Sequence, residues 1–113
     1  MKQVKHISIT ELGQMAKKMY GDMVKAVVDI KKKILVVDAE MHVDEEQYLL
    51  EHGSKQVDLW GINLHPKKFG NGEFVEFDSM INIRPRQHNM SRHVEDAAIR
   101  KDIVNIVEKI VKS

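Results

Sequence analysis

The chain has 113 residues, and we expect residues 1–113 to form a single domain. A chain of this length buries roughly 65% of the surface that it exposes when unfolded, which is enough for one hydrophobic core. Hydrophobic residues make up 42%, charged residues 31%, and the net charge is +1, as is ordinary for a soluble globular domain. With so small a net charge there is no global field for binding nucleic acid or membrane, so electrostatic recognition has to be local.

The sequence contains no cysteine, which excludes disulfides, thiolate metal sites and a cysteine nucleophile. No apolar run approaches the roughly 20 residues needed to span a bilayer, and the first residues lack the apolar segment of a signal peptide. We therefore expect a cytoplasmic protein with no membrane partner.

The first predicted element is a helix that starts after a capping box. Ser8 and Glu11 have the spacing of such a box, and Ile7 and Leu12 are placed for a hydrophobic staple. Apolar residues then follow helical spacing as far as Gly21, which can end the helix in a left-handed conformation.

Two strands around a lysine-rich turn follow this helix. Apolar side chains alternate along both, and a short turn at residues 31–33 brings the two apolar sets to the same side. The sets are Val24, Ala26, Val28 and Ile30 in the first strand and Leu35, Val37, Ala39 and Met41 in the second.

The second half of the chain repeats this order of elements. A short helix begins at residues 43–46 and ends near Gly53, with Tyr48, Leu49 and Leu50 on its buried side. A second pair of strands is separated by a glycine- and asparagine-rich turn at residues 66–73. Their apolar faces are Trp60, Ile62 and Leu64, then Val75, Phe77, Ile81 and Ile83.

A final helix is capped by Asp96 or a neighbouring residue and carries a clear apolar stripe. The predicted order is therefore αββαββα. Short connections favour two antiparallel hairpins. We predict an α+β two-layer sandwich in which a four-stranded, mostly antiparallel sheet has about three helices packed on one face.

Strand periodicity also predicts a polar face on the other side of the sheet. Such a face normally meets water and forms charge pairs across strands, which requires no function. Alternatively it is a shallow groove that binds a divalent metal as a cofactor. Neighbouring residues on one strand face lie about 7 Å apart, so such a site needs ligands from several strands. The candidate metal ligands are Asp38, Glu40, His42, His65 and Asp78.

The segment from residue 84 to residue 96 concentrates hydrogen-bonding side chains between a strand and the last helix. Its arginines suit phosphate or carboxylate, and the free amides of the following helix favour an anion. The candidate ligand-binding residues are Arg84, Arg86, Gln87, Asn89, Ser91 and Arg92. Alternatively, Glu95 and Asp96 cap the helix or pair with the arginines, and the loop is a structural latch.

These features leave three functions open. The first is binding of a phosphate-bearing anionic ligand, such as a nucleotide or nucleic acid, by loop 84–96. The second is a metal-assisted phosphoester hydrolase on the polar sheet face. The third is an interaction or structural protein that meets another chain, such as its own copy in a homodimer. No set of nucleophile, base and orienting group is apparent, so no catalytic residue is assigned and enzymatic activity stays open.

Several runs of the chain resemble a family of short uncharacterised prokaryotic proteins, a domain of unknown function. They are DLWGINLHP, EFVEFDSMINIRPRQHNMSRHVED and the helix IRKDIVNIVEKIV, and the similarity extends from about Ile7 over nearly the whole chain. In that family glycine is more common where this chain has His88 and His93, which argues against a catalytic role for these histidines. The resemblance implies one domain and brings no activity, cofactor or site.

Overall fold

The structure is a computed structural model that describes residues 1–113, and its fold is α+β. The three helices are α1 (Ile9–Met19), α2 (His42–Glu51) and α3 (Ala97–Ile110). The seven strands are β1 (Lys2–Val4), β2 (Ile7–Ser8), β3 (Val24–Asp29), β4 (Ile34–Val37), β5 (Leu59–Leu64), β6 (Val75–Glu76) and β7 (Val111–Lys112). Five of them form an antiparallel sheet in the order β1–β4–β3–β5–β6, and β2 and β7 form a small parallel sheet. None of the helices combines the length and the apolar character needed to cross a membrane.

The predicted starts of α1 and α3 are confirmed by their caps. Ser8 Oγ accepts the N–H of Glu11 at 3.1 Å, and Asp96 Oδ1 accepts the N–H of Ala98 at 2.8 Å. Gly21 follows α1 in the left-handed conformation, with φ at 86°. Each N-terminal cap contributes about 1 kcal/mol, so local sequence is sufficient to define these helix ends.

One face of the sheet packs against α1 and α3. Fully buried side chains of this core include Val28 of β3, Leu35 of β4 and Ile62 of β5, which meet Leu12 of α1 and Ile103 of α3. The predicted apolar alternation is therefore confirmed within the bounds of these three strands. It is wrong for Ala39 and Met41, which lie beyond the end of β4 at Val37, and Met41 is exposed.

The opposite face of the sheet is also buried, which corrects the predicted arrangement with all helices on one side. Val27, Ile34 and Val36 occupy the alternate strand positions and pack with Leu59 and with Leu49 of α2. The four consecutive apolar residues of β4 are all buried, as is typical of a strand that is covered on both faces. The helices consequently lie on both sides of the sheet.

The sheet has five strands rather than the predicted four because the first residues of the chain pair with β4. Lys2 lies opposite Val37, and Val4 lies opposite Leu35. Three residues are too few to show a period-two pattern, so β1 leaves no clear signal in the sequence. The element order is ββαββαββαβ instead of αββαββα.

The last predicted strand is shorter than its apolar alternation indicates. Only residues 75–76 pair with β5, and residues 80–82 form a turn of 3-10 helix. Beside Gly61 of β5, the side chain of Asn82 takes the place of a strand. Asn82 Oδ1 accepts the Gly61 N–H at 2.8 Å, and Nδ2 donates to Gly61 O at 2.9 Å. A side-chain amide has the same donor and acceptor as a peptide group, so it completes the hydrogen bonds of β5.

Gly13 lies inside α1, and a Cβ atom added to it would have no heavy-atom neighbour within 4 Å. Glycine in a helix interior is less stable than alanine by roughly 0.5–1 kcal/mol. We expect Gly13→Ala to raise the free energy of unfolding by about that amount in urea denaturation. A lower free energy of unfolding in the variant would contradict the open surroundings of this position.

Candidate functional site

A cleft of about 240 Å³ opens on the α2 side of the sheet, between the first turn of α2 and residues 76–92. We call it the α2 cleft. Its polar lining comes from three strands, from α2 and from the segment after β6, and consists of Lys25, His42, Asn63, Glu76, Asp78, Ser79 and Arg92. Its apolar lining consists of Met23, Met41, Val43, Met80 and Ile81. The cleft therefore combines charged groups with flexible apolar side chains.

The α2 helix buries a polar face. His42, Glu45 and Glu46 are buried together with Leu49, and their spacing places them on one side of the helix. Leu50, which the sequence pattern assigned to the buried side, is exposed, whereas the prediction for Leu49 is confirmed. Ionisable groups thus lie between α2 and the sheet, where apolar side chains are the rule.

The ring of His42, the first residue of α2, is fixed by a hydrogen bond to the sheet. His42 Nε2 lies 2.7 Å from Ile62 O. Because a carbonyl oxygen only accepts hydrogen bonds, Nε2 carries the proton and Nδ1 keeps its lone pair. Burial lowers the pKa of His42 below its ordinary value, and the bond to Ile62 opposes this shift only in part. The bond to Ile62 is the only hydrogen bond of the ring, so Nδ1 of the neutral imidazole is an acceptor that the protein leaves unused.

Arg92 is held at the cleft by Asp78. Its Nε donates to Asp78 Oδ1 at 2.6 Å, and neither terminal nitrogen of the guanidinium donates to the protein. About half of each side chain is exposed. Asp78 therefore orients the guanidinium and leaves the forked pair of terminal donors free for a ligand.

The other charged groups of the cleft differ in whether they have partners. Glu76 Oε1 accepts from Asn63 Nδ2 at 2.9 Å and lies 3.3 Å from His65 Nε2. Lys25 forms no ion pair with a carboxylate. Its Nζ lies 5.0 Å from the centre of the Tyr20 ring. The unused donors of the cleft are thus the Lys25 ammonium and the terminal nitrogens of Arg92. The carboxylates of Glu76 and Asp78 balance these two cations in formal charge, so the forked shape of the free Arg92 donors, rather than net charge, is what favours an anionic ligand.

The guanidinium of Arg84, in contrast, is held entirely by hydrogen bonds within the protein. Its guanidinium donates to Gln87 Oε1 at 3.1 Å and to three backbone carbonyl oxygens, those of Gln56, Leu59 and Ile81. Arg84 is 8% exposed, and Glu46 Oε2 lies 3.9 Å from it. All three guanidinium nitrogens are used within the protein, so the geometry of Arg84 and Gln87 favours the structural alternative for this part of the loop.

Asn89 and Glu95 hold the rest of the loop together. Asn89 Nδ2 donates to the backbone oxygens of Asn82, Ser91 and His93, and Asn89 Oδ1 accepts the Glu95 N–H at 2.9 Å. The Glu95 carboxylate accepts the Ser91 hydroxyl and the N–H groups of Met90 and Ser91. These bonds, that of the Ser91 hydroxyl foremost, hold the pKa of Glu95 below its ordinary value. The latch is built by an amide and a carboxylate, and Glu95 and Asp96 do not pair with the arginines of the loop as the alternative prediction proposed.

Of the six residues predicted to bind a ligand, only Arg92 lines the α2 cleft. Arg86 is exposed and forms no ion pair or side-chain hydrogen bond. The remaining four make hydrogen bonds within the protein, both inside the loop and to residues 56–59 and 81–82. Loop 84–96 therefore contributes one arginine to the cleft and otherwise fixes its own backbone and its attachment to the neighbouring segments.

The five candidate metal ligands are not gathered into one site. Asp38 and Glu40 lie beside α2 near the chain's amino group, which is 4.0 Å from Asp38 Oδ2, whereas His42 and Asp78 line the α2 cleft. The predicted alternation of residues 38, 40 and 42 on one strand face does not form, because β4 ends at Val37. No three His, Asp or Glu residues are placed to hold a metal ion.

The predicted polar face is confirmed in part. Lys25, Asn63, Glu76 and Asp78 lie together as the strand periodicity indicates. Sequence reasoning missed the apolar side of the cleft, including Met41 and the residues next to it. These side chains come from separate segments, and their approach depends on α2 crossing the sheet, for which the local pattern has no signal.

Comparison with known proteins gives a family but no function. A family model described as a protein of unknown function (DUF5674) matches residues 3–110. No curated protein and no solved structure matches the chain.

Proposed function

Because the chain belongs to the DUF5674 family, whose description assigns no function, we propose one from the geometry of the α2 cleft: the protein binds a small ligand that carries a phosphate or carboxylate group. The observation that carries this proposal is the Arg92 guanidinium, which Asp78 holds through Nε while both terminal nitrogens stay free. Forked guanidinium donors match two oxygens of a phosphate or carboxylate group. Lys25 supplies a second cation without a carboxylate partner.

The other side chains of the cleft indicate what the rest of the ligand is like. His42 Nδ1 accepts a hydrogen bond, which a ligand hydroxyl would donate. Met41 and Met80 offer polarisable apolar surface that adapts to a ring. Ligand pockets usually measure about 300–1,000 Å³, so a cleft of about 240 Å³ favours a small ligand. A nucleoside monophosphate combines a phosphate, hydroxyl groups and a ring, and is therefore the first probe.

The role of Arg92 is tested by comparing two arginines of the same loop. We expect nucleoside monophosphates to bind the parent protein in isothermal titration calorimetry and Arg92→Ala to weaken this binding about tenfold or more. The reason is that hydrogen bonds to charged groups contribute about 1.5–3 kcal/mol, and 1.4 kcal/mol is a factor of ten. Arg86→Ala is the matched control, because it removes the same charge from an exposed position outside the cleft.

Two results would contradict the proposal. The first is that neither nucleoside monophosphates nor inorganic phosphate bind to the parent protein at low salt. The second is an equal loss of affinity in Arg86→Ala and Arg92→Ala, which would indicate a general charge effect of the loop. A thermal melt of each variant checks that folding is retained, since neither side chain is buried.

A further inference from the structure

A second concavity lies on the α3 side of the sheet and has a volume of about 490 Å³. It forms where α3 meets the connection between β1 and β2 and the turn between β3 and β4. Isoleucines give it an apolar base, and lysines from all three segments surround them. We call it the basic groove and define it by Lys5, Ile30, Lys33, Asp102, Ile106 and Lys109.

The lysines of the basic groove have no partners of opposite charge. Lys5, Lys33 and Lys109 are exposed, and none of them forms an ion pair within the protein. Lys32 also lines the groove, but its Nζ donates to His52 O at 3.4 Å and is directed toward the end of α2. Asp102 is the only carboxylate in the lining. In a chain whose net charge is +1, three free ammonium groups around one concavity are a marked local excess.

The turn that presents Lys33 is fixed by a buried carboxylate. Asp29 is 1% exposed, and its Oδ1 accepts the N–H groups of Lys31 and Lys32 at 2.9 and 2.8 Å. Its Oδ2 accepts the Ser54 hydroxyl at 2.6 Å. The N–H of Lys33 donates to Asp29 O at 2.8 Å, and Lys33 has a positive φ of 58°. These bonds fix the backbone of the turn, so the turn presents Lys33 beside α3 before any ligand arrives and less backbone entropy is lost on binding.

We propose that the basic groove is a second binding site, for an oligophosphate such as the phosphate chain of a nucleoside triphosphate or inorganic triphosphate. Lysine ammonium groups act as point charges, and several of them around one space suit a chain of phosphates that carries several negative charges. Ile30 and Ile106 give the base of the groove apolar walls, and low-dielectric walls focus the field of the charges around a cleft. The volume falls within the range of about 300–1,000 Å³ of ligand pockets.

The test uses adenosine triphosphate, inorganic triphosphate and adenosine as probes, followed by backbone amide shifts in NMR. We expect both phosphate probes to shift residues 5–6, 30–33 and 102–110, and adenosine alone to shift none of them. Tighter binding of adenosine triphosphate than of inorganic triphosphate would indicate that the adenine ring contacts the isoleucines of the groove. Equal binding would assign recognition to the phosphates alone.

Two double variants separate the groove from overall charge. Lys33→Gln/Lys109→Gln removes two free cations of the groove, and we expect it to weaken triphosphate binding at least about tenfold. Lys31→Gln/Lys101→Gln removes the same charge from the same turn and the same helix, at exposed positions outside the lining. We expect this control to bind triphosphate as the parent does.

Several outcomes would overturn the proposal. They are equal weakening in the two double variants, no binding of either phosphate probe at low salt, or binding of a short oligonucleotide without binding of triphosphate. The basic groove and the α2 cleft are tested separately, because Arg92→Ala leaves the groove lysines intact and the lysine variants leave the cleft intact. The region in which the backbone amides shift therefore shows which of the two sites binds the probe.

Discussion

We expect Glu45→Gln to gain stability relative to the parent protein as the pH rises, by about 3 kcal/mol between pH 4 and pH 7. Glu45 lies in the middle of α2 and is fully buried, and neither of its carboxyl oxygens makes a hydrogen bond of normal geometry. Burial raises the pKa of Glu45 from 4.5 to about 10. The backbone of Ala39 and the positive charges of the chain's amino group and Lys25 oppose this shift only in part.

The direction of this effect follows from proton binding in the two states. Between pH 4.5 and about 10 the folded protein keeps a proton on Glu45 that the unfolded chain has released. The free energy of unfolding therefore falls as the pH rises through this window, by about 1.4 kcal/mol per unit for a single group. The stabilising contribution of the protonated form is complete below pH 4.5. Glutamine has no proton to release, so the variant lacks this decline.

Urea denaturation of both proteins at several pH values measures the effect. The packing of the new amide adds the same amount to the stability difference at every pH, so the change of this difference with pH reports the ionisation of Glu45 alone. Asp44→Asn is the control, since it removes an exposed carboxylate from the neighbouring position of α2. If the stability difference between Glu45→Gln and the parent stays constant from pH 4 to pH 7, Glu45 is ionised in the folded protein. That result would require water or a cation next to its carboxylate.

Gly61→Ala is expected to lower the free energy of unfolding by about 3 kcal/mol. A Cβ atom on Gly61 would lie 2.6 Å from Ser79 Cβ, 2.6 Å from Ser79 Oγ and 3.1 Å from Ile81 Cγ1. The colliding atoms belong to the segment that places Asn82 against β5. To make room, this segment has to move away, and the two hydrogen bonds between Asn82 and Gly61 lengthen or break.

The cause of this loss is separable from the general effect of replacing glycine. Gly72→Ala is the control, because a Cβ atom there would meet nothing within 4 Å. Ser79→Gly removes the nearest colliding side chain, so the double variant Gly61→Ala/Ser79→Gly should be more stable than the sum of the two single changes indicates. Additive losses in the double variant, or a loss below about 0.5 kcal/mol for Gly61→Ala alone, would contradict the close packing of Ser79 on β5.

Parts of the fold that depend on local chemistry were predictable from the sequence. Ser8 and Asp96 mark the starts of two helices because their side chains cap amides two or three residues away. The alternation in β3 and β5 identified the side chains that face α1 and α3, since strand periodicity depends only on neighbouring residues.

The position of α2 was not predictable in the same way. Polar residues indicate an exposed helix face, yet His42, Glu45 and Glu46 are buried. The available signal was the uninterrupted apolar run in β4, which is typical of a strand covered on both sides. Residues 77–83 were wrongly predicted as strand because apolar and polar side chains do alternate there. In the structure the side-chain amide of Asn82 takes the place of a strand beside Gly61, which lies 21 residues away in the sequence, so no local pattern indicates this contact.

For the candidate site, sequence reasoning identified most of the ionic groups but not how they are combined. Arg92, Asp78 and His42 were each predicted, but as members of two different sites. Their grouping depends on tertiary contacts of α2 and of the segment after β6. Arg84 and Arg92 are equivalent in the sequence, and only the number of guanidinium donors that the protein itself uses distinguishes them.

The Asn82 amide also affects how the protein meets other molecules. A strand edge with unpaired N–H and C=O groups is a template on which a strand of another chain can assemble. At Gly61 both groups are occupied by the side chain of Asn82, which is itself fully buried. The Arg84 guanidinium likewise occupies the carbonyl oxygen of Leu59 on the same strand. Protection of this part of the edge from intermolecular strand pairing, and hence from aggregation, therefore rests on two side chains that belong to no strand.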